Sequence, residues 1–310
     1  MILTVTLNLA LDVTYHIERF ERGATTRIDH FARRAGGKGV NVARVLHALG
    51  REVAVTGLAG GFPGRAARSE LETAGLHDAL VPISGESRLT TIVAERDGRA
   101  TGFSEIGPIV ARDEWAAFRV RFAELARGAE AVVLSGSLPR GVPAEAYGQL
   151  VDAATVAGAP AVLDADGAAL EHGAAAGPAI VAINRAELAS VAGDGGVLAG
   201  ACELRRAGAE AVVVSEGPAG LIGLVEGVAL HAAPPEPLTG NATGAGDAVT
   251  AALVAGLLDG LTWPERLVDA AALSAAAVRA PLAGSFDETL YRELRGRIVA
   301  RELATATPRP

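Results

Sequence analysis

This chain of 310 residues has only one lysine and one cysteine, and it has no excess of basic charge. Cys202 is its single cysteine, so no internal disulfide can form and a reducing compartment is expected. The formal net charge of −8 argues against a nucleic-acid-binding surface, because such a surface needs clustered basic residues. No uncharged run approaches the ~20 apolar residues that span a bilayer, and residues 1–7 do not resemble a signal peptide. We therefore expect a cytoplasmic protein without nucleic-acid or membrane partners.

Among the 28 basic residues, only Lys38 is a lysine, and the others are arginines. Lys38 lies in the segment Ala35-Gly36-Gly37-Lys38-Gly39-Val40-Asn41, whose glycines let the backbone approach a ligand closely. Asn41 falls on the first turn of the helix predicted to follow, so we expect Lys38 and Asn41 to face one pocket. The alternative is a glycine-rich hinge with an exposed lysine.

Short apolar segments that alternate with helical patterns predict a mostly parallel sheet with helices on both faces. Strands are predicted at 2–7, 53–58, 131–134, 161–163, 180–183 and 211–214. Helices are predicted at 39–49, 64–74, 144–157, 247–258, 264–278 and 287–303. The sequence therefore indicates the α/β class.

Alternating polar and apolar residues interrupt this series twice and predict a small antiparallel sheet, which includes a hairpin turn at 96–99. A half-exposed sheet of this kind suits a lid or a dimer contact. We expect a main domain of residues 1–11, 36–87 and 107–303, a β lid of residues 12–35 and 88–106, and a flexible tail at 304–310.

A glycine-rich turn leads into an apolar helix at Thr243-Gly244-Ala245-Gly246-Asp247. The free amides of such a helix start, together with the helix dipole, form an anion site. Asp247 would place a carboxylate beside the bound anion. Because like charges repel, this position makes sense if Asp247 takes up a proton during a reaction. The alternative is an ordinary N-cap. A Walker loop is excluded because Gly39 follows Lys38, and a dinucleotide fingerprint fails because its third glycine position is Val249.

Polar residues also follow several predicted strands. Asp12 stands where the first strand meets the lid and suits two sugar hydroxyls, although a turn aspartate is the alternative. Asn184 and Glu187 are three residues apart on one helical face, and oxygen ligands there, with Asp164, suit water-mediated Mg²⁺. A capping box formed by Asn184 and Glu187 is the alternative. A turn with Ser215, Gly217 and Gly220 follows the last predicted strand.

Taken in order, these motifs resemble the PfkB, or ribokinase-like, carbohydrate kinase family. The Gly-Gly-Lys-Gly-x-Asn block at 36–41 and the Thr-Gly-Ala-Gly-Asp block at 243–247 look like its two signatures. The resemblance extends from residue 1 to about residue 303, and it is strongest to the 1-phosphofructokinase and tagatose-6-phosphate kinase branch. It implies a three-layer α/β/α fold with a mostly parallel central sheet and a small antiparallel β lid.

The resemblance implies transfer of the γ-phosphoryl group of ATP to a ketohexose phosphate, with fructose 1-phosphate as the first candidate. Asp247 matches the general base, and Gly244, Ala245 and Gly246 complete the anion hole. The matching substrate contacts are Asp12, Gly37 and Asn41 on sugar hydroxyls, Lys38 and Arg88 on the existing phosphate, and Arg27 and Ser137 beside them. The matching nucleotide and Mg²⁺ contacts are Ser215, Gly217, Gly220, Asn184, Glu187 and Asp164.

Two departures from the family pattern and several alternatives accompany this resemblance. Asn8-Leu9 stands where the family has Asn-Pro, and Ala182-Ile183 stands where it has Lys-Pro. Some relatives hold a monovalent cation near the loop at 281–285, which is therefore an implied cofactor, and a homodimer through the lid is an implied assembly. The alternative substrates are tagatose 6-phosphate and other sugars or nucleosides. The alternative of another class is a non-catalytic sugar-phosphate-binding protein on the same fold.

Overall fold

The structure is a computed structural model that describes residues 1–97, 99–193 and 195–303. The predicted tail at 304–310 lies outside the described residues, as does residue 98 of the predicted turn at 96–99. The helices are α1 (Lys38–Ala48), α2 (Gly61–Thr73), α3 (Arg112–Ala126), α4 (Ala146–Val156), α5 (Gly167–Ala175), α6 (Arg185–Ala192), α7 (Val197–Ala207), α8 (Ala245–Leu258), α9 (Trp263–Val278) and α10 (Glu288–Arg295). The strands are β1 (Ile2–Thr6), β2 (Ala10–Ile17), β3 (His30–Gly36), β4 (Val53–Ala59), β5 (His77–Asp78), β6 (Val81–Pro82), β7 (Arg88–Glu95), β8 (Ala100–Ser104), β9 (Ala131–Ser135), β10 (Ala161–Asp164), β11 (Ile180–Asn184), β12 (Ala211–Ser215), β13 (Leu221–Val225), β14 (Val228–Ala232) and β15 (Arg301–Glu302).

A large, mostly parallel sheet forms the centre of the molecule. Its strand order is β15-β14-β13-β12-β11-β10-β9-β1-β4-β5, and β6 also pairs with β4. The pairings from β5 to β12 are parallel, whereas those from β12 to β15 are antiparallel. All five residues of β1 are buried, because strands covered on both faces can be apolar throughout. The predicted α/β class is confirmed.

Two hydrophobic cores lie on opposite faces of this sheet. Side chains alternate across a strand, so Val133 packs into one core while its neighbour Val132 packs into the other. The first core joins the sheet to α1, α8 and α9, and the second joins it to α3, α4, α5 and α7. This three-layer arrangement holds the carboxyl ends of the parallel strands at one edge, where the loops and helix starts meet.

The two alternating segments form a second sheet with the order β3-β2-β7-β8. Its two outer pairings are antiparallel as predicted, but the central pairing of β2 with β7 is parallel. Asp12 is in register with both Arg34 of β3 and Thr90 of β7, so these three residues share one face. The division of the chain into a main domain and a lid with the boundaries given above stays a prediction.

The predicted helix at 287–303 is wrong in its second half. The helix α10 ends at Arg295, and the chain then forms β15, which pairs with β14 through Leu230 and His231. Gly296 weakens the continuation of the helix. The exposed edge of β14 offers backbone partners, and the Leu303 amide donates to the Ala229 carbonyl at 2.8 Å.

Among the residues that the structure describes, none of the helices has both the length and the apolar character required to cross a bilayer. The cytoplasmic location expected from the sequence stays a prediction.

Candidate active site

A cavity of about 340 Å³ lies between the small sheet and the carboxyl edge of the large one. The two glycine-rich segments, which are about 200 residues apart in the chain, meet in its wall. The predicted site residues that line this cavity are Asp12, Gly37, Lys38, Asn41, Arg88, Asp164, Asn184, Glu187, Ser215, Gly244, Gly246 and Asp247. The fold therefore brings most of the predicted site together in one place.

The start of α8 is shaped by Gly244, which precedes the helix in a left-handed conformation with φ +86°. A Cβ atom at this position would lie 3.0 Å from the Cα of Ala283, so glycine also fits the available space. Asp247 is buried in the first turn of the helix and is not its N-cap, so the capping interpretation of this residue is wrong. The Ala245 amide donates to the Ala242 carbonyl within the turn. First-turn amides beyond it lack intrahelical partners, which leaves those of Gly246 and Asp247 for an anion.

The Asp247 carboxylate accepts a hydrogen bond from the side-chain amide of Asn41 at 2.8 Å. Burial, reinforced by the negative charge of Asp164, raises the pKa of Asp247 to about 7. The Asn41 hydrogen bond and the charge of Lys38 act in the opposite direction. A carboxylate with such a pKa is suited to accept a proton near neutral pH, because general bases work best when their pKa lies near the operating pH.

Lys38 lines the cavity and is paired there with two carboxylates. Its ammonium nitrogen is 2.8 Å from Asp164 Oδ1 and 2.7 Å from Glu187 Oε1. Burial alone lowers the pKa of Lys38, but the two negative charges outweigh it and the net shift is upward. The pKa of Asp164 is raised, because its burial outweighs the charge of Lys38. Ser135 also donates its hydroxyl to Asp164 Oδ2 at 2.9 Å.

The same two carboxylates fit a Mg²⁺ ion that is bound together with a nucleotide. Because Asp164 and Glu187 both reach the Lys38 ammonium, their oxygens converge on one cation-sized position. Within the described residues, no group of three or more His, Cys, Asp or Glu side chains could hold a metal ion alone. Two carboxylates are enough for Mg²⁺, since that ion keeps several waters and takes one or two carboxylates plus substrate phosphates.

Asn184 and Glu187 form the capping box that the sequence offered as an alternative. The Asn184 side chain accepts from the Glu187 amide at 2.9 Å, and the Asn184 amide donates to Glu187 Oε2 at 2.8 Å. Glu187 Oε1 remains directed to Lys38. One oxygen of Glu187 therefore caps the start of α6, while the other contacts Lys38 in the cavity wall. The capping interpretation does not exclude a role in the site.

Asp12 is half-buried on β2, where it faces the cavity from the small sheet. Burial raises the pKa of Asp12, and the opposing influences are a hydrogen bond from Thr90 and the charge of Arg88. The Asp12 carboxylate also packs directly against Gly36, since a Cβ atom on Gly36 would lie 2.1 Å from Asp12 Oδ2. Asp12 is therefore held at the junction of the small sheet and the glycine-rich segment.

Arg88 and Ser137 meet Lys38 in a smaller adjoining cavity of about 140 Å³. Arg88 donates from Nε to the Asn8 carbonyl at 3.1 Å. Asn8 donates from Nδ2 to the Ser137 hydroxyl at 3.2 Å. The two cations and the hydroxyl thus share one wall, which is an arrangement that suits a phosphate group.

Five predicted site residues do not line the main cavity: Ser137 lines the adjoining one, and the others are Ala245, Arg27, Gly217 and Gly220. Arg27 is exposed on the segment between β2 and β3. Gly217 begins a short 3₁₀ turn after β12, and Gly220 follows that turn with φ +93°. A Cβ atom on Gly220 would lie 2.3 Å from the Ala232 carbonyl oxygen, so this glycine has a packing role in the turn. Ser215, at the end of β12, does line the cavity.

Two residues near the site were not predicted from the sequence. Ser135 ends β9 beside Asp164 of β10, and Thr90 lies beside Asp12 on β7. Ser135 carried a usable signal, because it is a polar residue at the end of an apolar strand. Thr90 carried no such signal beyond the alternation of its strand, because only the pairing of β2 with β7 places it beside Asp12.

A comparison with known protein families and solved structures agrees with this geometry. The family model for pfkB family carbohydrate kinases matches residues 5–290. Phosphofructokinase-2 from Escherichia coli, solved in complex with potassium, is 27% identical with a TM-score of 0.89, and the alignment covers 96% of this chain and 98% of that one. A possible 1-phosphofructokinase from Thermotoga maritima is 25% identical with a TM-score of 0.88, covering 97% and 99%.

Ribokinase from Arabidopsis thaliana, solved with ribose and ATP, is 22% identical with a TM-score of 0.72 over 95% of this chain and 98% of that one. At that identity the likeness concerns the fold, which is the ribokinase-like three-layer α/β/α fold. The chain belongs to the pfkB family of carbohydrate kinases, because the family model spans most of its length. It is a sugar kinase of the phosphofructokinase type, and kinases of this family use ATP and Mg²⁺.

Proposed function

We propose that this kinase phosphorylates a ketohexose phosphate at the expense of ATP, and that its substrate is fructose 1-phosphate, giving fructose 1,6-bisphosphate. The observation that supports this most is the position of Asp247. Its buried carboxylate lies in the cavity beside the glycine-rich start of α8 and within hydrogen-bond distance of Asn41. In this proposal Asn41 contacts the sugar, Asp247 is the base and the start of α8 is the anion site, and the three are neighbours.

The reaction requires that a hydroxyl of the sugar lose its proton as its oxygen attacks the γ-phosphorus of ATP. Asp247 takes that proton, the new P–O bond forms, and the bond between the γ-phosphorus and the bridging oxygen breaks. ADP leaves with the electron pair of that bond. The amides of Gly246 and Asp247 stabilise negative charge on the transferring group.

Asp164 and Glu187 are the residues that would hold Mg²⁺, through water or directly. When bound, the ion supplies charge neutralisation for the phosphate oxygens. Lys38 keeps these two carboxylates in place before the nucleotide arrives, since its ammonium contacts both. Lys38 also lines the adjoining cavity, where its ammonium would contact the phosphate of the sugar.

The existing phosphate of the sugar is assigned to Arg88, Lys38 and Ser137, which line the smaller cavity. Asp12, Gly37 and Asn41 are assigned to the sugar hydroxyls, and Arg27 to the same phosphate if the exposed segment folds inward. Two cations in one small cavity favour a phosphorylated sugar over a neutral sugar or a nucleoside. Asn184, Ser215, Gly217 and Gly220 are assigned to the nucleotide.

The choice of sugar is tested by measuring ADP release with purified protein and MgATP. The acceptors are fructose 1-phosphate, fructose 6-phosphate, tagatose 6-phosphate and the free sugars. Fructose 6-phosphate is included because an E. coli phosphofructokinase-2 structure, 27% identical, contains it. We expect the highest kcat/KM with fructose 1-phosphate, and a higher value with another acceptor would replace it as the substrate. The Asp247→Asn variant, purified in parallel, measures ADP release from contaminating kinases.

Two further proposals concern a monovalent cation and assembly. An E. coli phosphofructokinase-2 structure contains potassium, so we propose a monovalent cation at the loop 281–285, tested by replacing K⁺ with Na⁺ in the assay. Another structure of the E. coli protein is its tetrameric inhibited form. For this chain we propose a homodimer through the outer face of the small sheet, where Phe31 and Phe103 are 52% and 55% exposed.

A further inference from the structure

The side chain of Arg34 crosses from the small sheet to a loop of the large α/β unit. Arg34 lies on β3, directly opposite Asp12 of β2. Its Nη1 donates to the carbonyl oxygen of Ala283 at 3.3 Å and to the hydroxyl of Ser285 at 3.4 Å. Two oxygens of one loop therefore accept hydrogen bonds from one cationic nitrogen, and none of the roles assigned above uses this contact.

The loop that Arg34 holds is packed tightly against the reactive end of the cavity. A Cβ atom on Gly244 would lie 3.0 Å from the Cα of Ala283, and one on Gly284 would lie 3.2 Å from the Cα of Asn41. Only glycine fits at both positions, so the backbone of this loop lies directly against the turn before α8 and against Asn41. A shift of the loop therefore displaces the turn before α8 or displaces Asn41, which hydrogen-bonds Asp247.

Charges around Arg34 come from both the lid and the helices beneath it. Burial and the charge of Arg44 lower the pKa of Arg34, whereas Glu70 and Asp12 favour its charged form. Arg44 is itself paired with Glu70, which leaves Asp12 as the acidic neighbour on the lid. A cavity of about 50 Å³ separates the lid strands from the loop, which is room for about one or two waters. Arg34 spans this gap.

We propose that Arg34 is a positioning residue that couples sugar binding at Asp12 to the geometry of the anion hole. A sugar that binds Asp12 fixes β2, and β3 is joined to β2 along seven residue pairs from Ala10 to His16. Arg34 then holds the 283–285 loop, and through it Gly244, in the arrangement that phosphoryl transfer needs. The role of Asp12 comes from the proposed function, on which this inference rests.

The test compares Arg34→Ala, Arg34→Gln and Arg34→Lys with the wild-type enzyme. Arg96→Ala is the matched control, because Arg96 is an exposed lid arginine whose surface partner is Glu18. We expect Arg34→Ala and Arg34→Gln to lower kcat by roughly 10- to 100-fold, because small displacements of reacting groups cost that much. KM for MgATP should stay within a few-fold. Arg34→Lys, or millimolar guanidinium added to Arg34→Ala, should restore part of kcat.

Amide hydrogen exchange gives a readout that does not depend on turnover. In the wild-type enzyme, addition of the sugar phosphate should slow exchange at residues 282–286 as well as in β2. In Arg34→Gln it should slow exchange in β2 only. Equal kcat for the Arg34 and Arg96 variants, or equal loop protection in the wild-type and Arg34→Gln proteins, would overturn the inference. A wild-type enzyme that transfers phosphate to none of the tested acceptors would instead overturn the proposed function.

Discussion

Asp247 illustrates how neighbouring groups, rather than the residue type, determine what a side chain can do. An exposed aspartate has a low pKa and is a weak base, but burial and the charge of Asp164 raise the pKa of Asp247 to about 7. The Asn41 hydrogen bond fixes one of its oxygens. The residue thereby combines a fixed position with a useful basicity.

Replacement of this base provides the first prediction. Asp247→Asn preserves the shape of the side chain but removes the basic oxygen, so turnover should fall by roughly 10²-fold or more. Binding of the sugar phosphate, measured by calorimetry, should change by only a few-fold. Asp259→Asn at the other end of α8 is the control, because Asp259 is exposed and forms a surface ion pair with Arg51. Turnover of Asp247→Asn equal to that of the control would contradict the assignment.

The pH dependence of kcat/KM gives the second prediction. Asp247 is active only when ionised, so activity should rise as the pH is raised through about 7 and fall below it. Lys38→Met removes a charge that lowers the pKa of Asp247, so this limb should move to higher pH. Glu187→Gln removes a charge that raises it, so the limb should move to lower pH. Shifts in the same direction for both variants would show that Asp247 is not the titrating group.

At the scale of helices and strands, the start of α6 serves stability and the cavity together. Its capping box satisfies two amides that the helix cannot satisfy itself, while Glu187 also faces Lys38. At the start of α9, Thr262 and Glu265 form a partial box, in which the Thr262 amide and hydroxyl both donate to the Glu265 carboxylate, and this box is remote from the cavity. Variants at these two helix starts therefore distinguish the loss of stability caused by removing a cap from the loss of activity caused by disturbing the site.

This comparison is the third prediction. Asn184→Ala and Thr262→Ala should each lower the free energy of unfolding by about 0.5–2 kcal/mol, measured by denaturant titration. Only Asn184→Ala should also raise KM for MgATP, because Asn184 lines the cavity beside Glu187. If KM for MgATP is unchanged in Asn184→Ala while stability falls, the residue is a helix cap and the nucleotide assignment fails.

At the scale of the whole molecule, the small sheet has two unlike faces. Asp12, Arg34 and Thr90 share the face toward the cavity, whereas Phe31 and Phe103 lie on the outer face. Alternation along each strand produces this separation, because successive side chains point to opposite faces. This separation supports the proposals made above, which assign the inner face to the substrate and the outer face to a second copy of the chain.

The fourth prediction concerns that outer face. Phe103→Ser should convert a dimer into a monomer in gel filtration with light scattering, since it removes an exposed aromatic side chain from the proposed interface. Val156→Ser is the control, because Val156 is 89% exposed at the end of α4, which belongs to the large α/β unit rather than the small sheet. A wild-type protein that is monomeric at all concentrations, or a Phe103→Ser protein that stays dimeric, would contradict this proposal.

Some elements were not predictable from local pattern alone. The helix α3 was missed because it buries only a narrow stripe of Trp115, Phe118 and Phe122 among charged residues. The C-terminal segment was predicted as one long helix, but the free edge of β14 competed for it and formed β15. For the C-terminal segment, pairing with β14 decided the local structure.

The sequence by itself determined the alternation of buried strands and helices, and with it the α/β class. It also determined which residue types stand at strand ends and helix starts, since Gly244, Asp247 and Asn41 lie at the starts of predicted helices. These properties follow from short-range patterns, in which burial and backbone conformation repeat every few residues.

Only the tertiary structure decided the partners of these residues. Lys38 meets Asp164 and Glu187, which are 126 and 149 residues away, because parallel strands place their carboxyl ends along one edge. Burial between the layers and the nearby charge of Asp164 raise the pKa of Asp247. Arg34 reaches Ala283 across 249 residues. Distances and charges of this kind depend on how layers pack, and no local pattern in the chain encodes them.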